Sequence, residues 1–417
     1  MNVLIITNAA WDTRNSLGNT LSNWFTGWEG CQFSCITYRS DLPNNNCCSE
    51  YYVIPPFNII RNLLRPKRIG IRYDSTCIPT DSNRIEANVK GISGFKRYII
   101  RFLVDIVYRL PIWRNQRYKR FLHDINPDIV FLFAIPESFV YSNVNYIKKH
   151  TNAKIAMTIE DDVYGVVSSK LDPLSALEKY RLKRMFRMAD KLYGASQMMC
   201  DNYSHIFRKD FAPIYKGCEF GSLKDKINSP IEVVYAGNLL YGRLDTLSTI
   251  AKTIRAINKD NVQIRLTVFS GTKLSEEQKL CINDGVNAVF AGVKPYEYIK
   301  DVLEKSDVTL HVESFEKKMQ SLVRYSFSTK IIDCLQSGNT LMVVGPPNIA
   351  SVEYPRTIPG AIVVDNVDNI PAAFKDIVSH PESLIVRAKD INQFSKQRHS
   401  ISSVRNAIRN DFQSLLA

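Results

Sequence analysis

One feature limits the folds open to this chain more than any other. Short, continuous apolar runs alternate with amphipathic segments, and the alternation runs, breaks off and starts again. The first run, "NVLIIT" from Asn2 to Thr7, carries no polar alternation, which fits a parallel strand covered on both faces. A helix is expected at about 17–28, and strands are expected at "NPDIVFLFAIP", "AKIAMTIEDD", "KLYGAS" and "APIYKGCEF", with helical patterns between them. The polar stretch "GSLKDKINSP" at 221–230 interrupts the pattern. It resumes with "IEVVYAGNL", "VQIRLTVFSG", "NAVFAG", "DVTLHVES", "TLMVVGP" and "GAIVVD" as strands. Strands alternating with helices specify a doubly wound parallel sheet, and 417 residues exceed what one core holds. Two α/β domains are therefore expected, at 1–222 and 223–395, with ligands in a cleft at the carboxyl ends of their strands. The last segment, 396–417, repeats Ile401, Val404, Ile408, Phe412 and Leu415 at helical spacing, and is expected to pack back on the N-terminal domain. Residues 40–94, with "DLPNNNCC" and "VIPPFN", read as an irregular insertion.

The net charge of +13 is concentrated. Between Phe95 and Arg120 stand Lys96, Arg97, Arg101, Arg109, Arg114, Arg117, Lys119 and Arg120 against a single acid, Asp105. Tyr98, Ile99, Phe102, Leu103, Ile106 and Leu110 recur at three- and four-residue steps there, so the segment is a helix with one apolar and one cationic face. Such a helix either covers the first domain's sheet or lies at an anionic membrane surface. No nucleic-acid module accompanies the charge, so nucleic acid is not an expected partner. The nine cysteines form no CxxC pair and have no histidine near the five that precede residue 80, so reduced thiols are expected rather than a zinc site. No apolar run reaches about 18 residues, and the N-terminal segment lacks a basic leader and cleavage site. A cytoplasmic protein is expected, with 95–120 offering peripheral attachment to the inner face of a membrane.

Two stretches of the second half carry chemistry. In "VVYAGNLLYGRLDTL", Gly237 and Asn238 follow a strand, and Gly242 and Arg243 precede a helix. Backbone can approach a ligand closely there, helix amides attract an anion, and Arg243 supplies a bidentate donor for phosphate. The spacing is not GxGxxG, which argues against a dinucleotide-dependent oxidoreductase. In "YSFSTKIIDCLQSGNTLMVVGPP", Ser328 or Thr329 can cap a helix whose first turn holds Lys330, a cation the helix dipole disfavours unless an anion offsets it. Asp333 lies on the same face, where a carboxylate can accept from both hydroxyls of a ribose; the spacing fits a plain Lys–Asp surface pair equally well.

Taken in order and spacing, the two stretches resemble the nucleotide-sugar half of GT-B glycosyltransferases of the retaining family 4 type, and the first half is similar more loosely. The resemblance implies two Rossmann-like doubly wound domains facing a central cleft. It also implies transfer of a sugar from a nucleotide diphosphate to a hydroxyl of a saccharide, here a lipid-linked one in surface polysaccharide synthesis. By the same resemblance, Gly237, Asn238, Arg243, Thr329 and Lys330 meet the donor diphosphate and Asp333 the ribose, with neither metal nor other cofactor. Asp333 stands where the family more often has Glu, and Tyr325 stands where its E-x7-E pattern has the first acid. Glu313, or the backbone around Ser326, Phe327 and Ser328, is the expected substitute for that acid. Gly18 and Asn19 correspond to the family's first βα loop, although the usual Gly-Gly pair is missing. Glu160, Asp161 and Asp162 end a first-domain strand, and a carboxylate of Asp161 or Asp162 is expected to orient the acceptor hydroxyl; a solvated acidic turn is the plainer reading, and three consecutive acids splay too far apart for a metal. Two rival functions fit the same fold: a nucleotide-sugar 2-epimerase, and a non-catalytic saccharide- or membrane-binding scaffold.

Overall fold

A computed structural model of the chain describes residues 1–39, 43–74, 94–166 and 173–417. The side chains of Phe95, Lys96 and Arg97 lie outside the described residues, as does Cys77. The chain divides into two compact units. Unit 1 comprises Met1–Ala195, Cys200–Ile214 and Arg405–Ala417, and unit 2 comprises Ser196–Met199 and Tyr215–Val404.

Unit 1 is built on β1 (Asn2–Thr7), whose side chains from Val3 onward are all buried. A helix, α1 (Ser16–Phe25), follows, then β2 (Gln32–Thr37), β3 (Cys48–Val53), α2 (Pro56–Arg61), β4 (Ile71–Asp74), α3 (Gly94–Arg109), α4 (Gln116–Ile125) and β5 (Ile129–Phe133). The series continues with α5 (Ser138–His150), β6 (Lys154–Ile159), α6 (Val163–Val166), α7 (Pro173–Met188), β7 (Lys191–Gly194), α8 (Gln197–Phe207) and β8 (Phe211–Pro213). The sheet runs β4-β3-β2-β1-β5-β6-β7-β8, parallel except for β4, which pairs antiparallel at one edge. Asn15 caps α1, its Oδ1 accepting from the Gly18 amide at 2.7 Å. Gly18 is required by space, since a Cβ there would sit 2.2 Å from the Asp12 carbonyl oxygen.

Three expectations are corrected. The stretch 40–94 is not an irregular insertion, because 48–53 pairs in parallel with β2 and buries Cys48, Tyr51, Tyr52 and Val53. Its prolines concealed the order: Pro55 and Pro56 open α2, where a missing N–H costs nothing. Residues 75–93 lie outside the described residues. The strand read at "APIYKGCEF" begins earlier and stops at Pro213; of the later residues only Cys218 makes a bridge, to Ser400. Thirdly, α3 does not cover the sheet with its apolar face. Asp105 and Tyr108 point inward, while Ile99, Phe102, Leu103, Ile106 and Leu110 are exposed.

The inward side of α3 is held by charge. Asp105 accepts from Arg181 of α7 at 2.6 and 2.8 Å, from Arg109, and from the Ser138 amide. Burial pushes the Asp105 carboxyl up, but these donors outweigh it and leave its pKa at about 2.

Unit 2 repeats the design with β9 (Ile231–Ala236), α9 (Arg243–Ile257), β10 (Ile264–Phe269), α10 (Glu276–Ile282), β11 (Ala288–Gly292), α11 (Tyr296–Lys305) and β12 (Val308–Val312). Then come α12 (Lys317–Val323), α13 (Thr329–Gln336), β13 (Thr340–Val344), α14 (Ala350–Arg356), β14 (Ile362–Val364), α15 (Ile370–Ser379), α16 (Ser383–His399) and α17 (Ile401–Leu416). Of these, α12 and α14–α16 interrupt or follow the alternation and were not foreseen in its periodicity. All six strands are parallel in the order β11-β10-β9-β12-β13-β14, which numbers as 3-2-1-4-5-6 from β9. In such a sheet the winding reverses between the first and fourth strands, and the loops leaving them diverge to open a crevice. Here those strands are β9 and β12.

The end of α17 belongs to unit 1. Phe412 packs on Phe25, Trp28 and Phe131, and Asp411 Oδ2 accepts from the Tyr193 hydroxyl at 2.8 Å.

Candidate functional site

The loops leaving β9 and β12 meet at that crevice. Tyr235 donates its hydroxyl to the Asn238 carbonyl at 2.7 Å, and the Leu239 amide donates to Thr272 Oγ1 after β10, so the Gly237–Asn238 turn is fixed from both sides. Gly242 caps α9 with a φ of 73°, and a Cβ on it would lie 2.4 Å from Ser314 Oγ; only glycine meets both demands. Arg243, the next residue, is 8 % exposed. Its Nε donates to Glu313 Oε2 at 3.1 Å, its Nη2 to Glu313 Oε1 at 3.0 Å, and its Nη1 to Asn238 Oδ1 at 2.7 Å. A guanidinium has five N–H groups, so two remain for a ligand. Glu313 is 1 % exposed, and His311 Nε2 lies 3.1 Å from its Oε1. Burial raises the Glu313 carboxyl, but His311 and Arg243 bring it below the usual range, so it is ionised at neutral pH.

The second stretch arrives from the β12 side. Ser328 occupies the cap position of α13 but makes no side-chain cap; instead its amide donates to Ser351 Oγ, which donates in turn to the Ser326 carbonyl. Phe327 wedges between Tyr215 and Tyr354. These contacts hold Thr329 and Lys330 at the start of α13, where first-turn amides have no helical acceptor. Lys330 Nζ lies 3.8 Å from Asp333 Oδ2. The Asp333 side chain is 31 % exposed, and burial raises its pKa against the opposing pull of Lys330 and Lys216.

Two cavities adjoin here. One, of about 240 Å³, is lined by Tyr235, Gly237, Asn238, Arg243, His311, Glu313 and residues 326–330. The other, of about 350 Å³, shares Gly237, Asn238 and Lys330 and extends over Asp333, Ser270, Val293, Lys294, Tyr296 and Lys300. The unit thus brings Gly237, Asn238, Arg243, Glu313, Ser326, Phe327, Ser328, Thr329, Lys330 and Asp333 around these two adjoining cavities at the carboxyl edge of its sheet. Among the described residues, no group of three or more His, Cys, Asp or Glu side chains could hold a metal ion.

No family model matches the chain, and no curated protein matches it. Solved structures do. A glycosyltransferase from Rickettsia africae superposes with a TM-score of 0.62 at 11% identity, covering 100% of this chain and 98% of that one. The E. coli trehalose-6-phosphate synthase bound with UDP-2-fluoro glucose gives 0.60 at 10% identity, covering 99% of each. The chain has the GT-B fold. A third match is S. aureus TarM in complex with UDP, at a TM-score of 0.50 and 12% identity, covering 70% of this chain; this chain spans 57% of TarM.

Within this GT-B chain the remaining candidates fall in unit 1. Asp162 has a structural task, its Oδ1 accepting from the Gly165 amide at 2.9 Å and the Tyr203 hydroxyl at 2.7 Å. Asp161 is exposed beside it, and Glu160 Oε1 accepts from the Thr158 hydroxyl. Gly18 and Asn19 sit in the first turns of α1. Tyr325, at the position of the missing acid, lines neither cavity. Sequence reasoning overlooked His311 and the pair Lys294 and Tyr296. A signal for the first was present: "HVE" puts two ionisable side chains on one face of an apolar strand. For the second it was the position just past the carboxyl end of a parallel strand, in "AGVKPYEY".

Proposed function

We propose that this chain is a glycosyltransferase that takes a nucleotide-diphosphate sugar as donor. The observation that carries the reading is the convergence of Arg243, Lys330 and Asp333 on adjoining cavities where the unit 2 sheet reverses its winding. The neighbours with UDP or UDP-2-fluoro glucose bound support it. In this reading, the turn Gly237–Asn238 and the amides of Thr329 and Lys330 hold the diphosphate. Glu313 fixes the guanidinium plane of Arg243 so that its two spare N–H groups face the phosphates. Glu313 neutralises Arg243 and Asp333 lies 3.8 Å from Lys330, so the diphosphate is held by directed N–H donors more than by net charge. Asp333 accepts from the ribose hydroxyls, and the nucleoside occupies the larger cavity toward Lys294 and Tyr296.

Departure of the sugar leaves negative charge on the diphosphate, and these fixed donors stabilise it without a metal. Transfer with retention to a lipid-linked saccharide, at a membrane surface and in surface polysaccharide assembly, completes the proposal. In this reading a carboxylate of the acidic turn after β6, Asp161, orients the acceptor hydroxyl.

The test is thermal stabilisation by nucleoside diphosphates, followed by calorimetry. At a hundred times Kd a bound ligand adds about 2.7 kcal/mol to stability. Lys330→Ala should weaken a nucleoside diphosphate at least tenfold and leave the bare nucleoside unaffected. Unchanged affinity in both Lys330→Ala and Arg243→Ala would sink the donor site. Product analysis separates the rivals: a transferase releases nucleotide and extends the acceptor, whereas an epimerase returns an isomerised nucleotide sugar.

A further inference from the structure

The outward face of α3 continues onto α2. The two helices lie against each other, and the Tyr108 hydroxyl donates to the Ile54 carbonyl beneath them at 2.7 Å. α2 buries Ile59 and turns Phe57 and Ile60 outward, and Leu64 in the following turn is 97 % exposed. Beside them stand Ile99, Leu103 and Ile106 of α3, Leu103 at 54 %. Of the 26 exposed large hydrophobic side chains among the described residues, nine lie on these two helices and the edge strand β4, and three more, Leu63, Leu64 and Leu110, lie in the turns that follow the helices. A contiguous apolar area of this kind on a water-facing surface marks an interaction site.

The charge beside α2 and the turn after it is of one sign, while the acids near β4, Glu50 and Asp124, are paired with Arg72. Arg61, Arg65, Lys67 and Arg68 are exposed, and the sequence from Ile54 to Tyr73 contains no acid. The one acid of α3, Asp105, is turned inward and neutralised by Arg181 and Arg109. Asn115, which caps α4, donates its side-chain amide to the Pro66 and Ile69 carbonyls, so exposed Arg117 and Arg120 extend the same basic rim.

We propose that α2, the turn after it and α3 form one docking surface for an anionic lipid bilayer. The apolar side chains enter the boundary between headgroups and acyl chains, and the cations stay at headgroup level. A second copy of the chain is a poorer occupant, because a two-fold contact would set this patch against itself and bring its cations together. The surface names how the enzyme meets a membrane-borne acceptor and rests on the proposed function only for that purpose; its geometry belongs to unit 1 alone.

Flotation of the full chain with phosphatidylcholine vesicles, with and without phosphatidylglycerol, tests it. The protein should float with the anionic vesicles, bind the neutral ones at least tenfold less, and be released by salt. Replacing Arg65, Lys67 and Arg68 together by Gln should weaken binding about a hundredfold. Phe57→Ser with Leu64→Ser should weaken it at least tenfold, while Lys259→Gln with Lys305→Gln in unit 2 should change nothing. All substituted side chains are exposed, and unchanged melting curves confirm folding. Equal flotation of wild type and both surface variants overturns the proposal, as does equal binding to neutral and anionic vesicles. Self-association that Phe57→Ser with Leu64→Ser abolishes, without flotation, assigns the face to a second copy and overturns it too. Stabilisation by UDP is measured on the same samples: its absence with flotation intact removes the transferase reading and leaves the surface standing.

Discussion

Replacing Glu313 by Gln isolates what holds the candidate donor site together. The change keeps the shape of the side chain and removes its charge, leaving Arg243, 8 % exposed, without a counter-ion. Of the two hydrogen bonds, at 3.0 and 3.1 Å, one can persist to the amide oxygen, the other is lost because the amide NH2 cannot accept from the guanidinium, and the contact with His311 is lost or reversed. Removing one partner of a buried ion pair costs about 3–5 kcal/mol, mostly the penalty of the charge left behind. Arg243→Met should cost a similar amount by stranding Glu313. The double variant removes both charges, so its loss should fall short of the sum of the singles by about 2–3 kcal/mol. Urea denaturation followed by far-UV circular dichroism reads this, because all four tryptophans (Trp11, Trp24, Trp28 and Trp113) lie in unit 1 and their fluorescence reports that unit. Strict additivity of the two single losses would refute the coupling. Nucleotide affinity gives a second readout: Glu313→Gln frees the guanidinium charge, so a nucleoside diphosphate should bind folded Glu313→Gln at least as tightly as wild type.

Gly242→Ala should destabilise unit 2 by about 1–3 kcal/mol, since the position needs a left-handed φ and has no room for a Cβ; a melting temperature equal to wild type would contradict this. Asp105 makes unit 1 acid-sensitive. Its folded pKa, about 2, lies below the ordinary 3.8, so its contribution is complete above pH ~4 and is lost as pH falls through ~2. The loss is about 2 kcal/mol, read by tryptophan fluorescence in urea, and Asp105→Asn should abolish that part of the pH slope.

The sheets were legible because continuous apolar runs such as "NVLIIT" and "TLMVV" leave few alternatives, and parallel winding follows from the helices between them. Arg243 and Lys330 were legible because each stands at a helix start, where backbone donors are free, and Asp333 because it lies on the same face of α13 as Lys330. Other features depend on which distant segment a residue meets. Glu313 and Arg243 are 70 positions apart, and nothing local says that the carboxylate is spent on the guanidinium rather than on a sugar. The sequence of α3 shows an apolar face but not its direction. That is settled by Asp105, which buries its own side of the helix by pairing with Arg181, 76 positions later. The helices α14–α16 escaped because the strand–helix rhythm thins after β13.

The closing stretch of α17 has a consequence for how the protein is made. Phe412 fills a space among Phe25, Trp28 and Phe131, so the first unit's aromatic core is incomplete until residue 412, beyond all of unit 2, has left the ribosome. Nascent unit 1 must wait, partly open, while unit 2 is translated, and a fragment ending at Ile214 inherits that opening permanently. Any attempt to produce the first unit alone needs 405–417 grafted back, for instance ahead of Met1 in a circularly permuted gene.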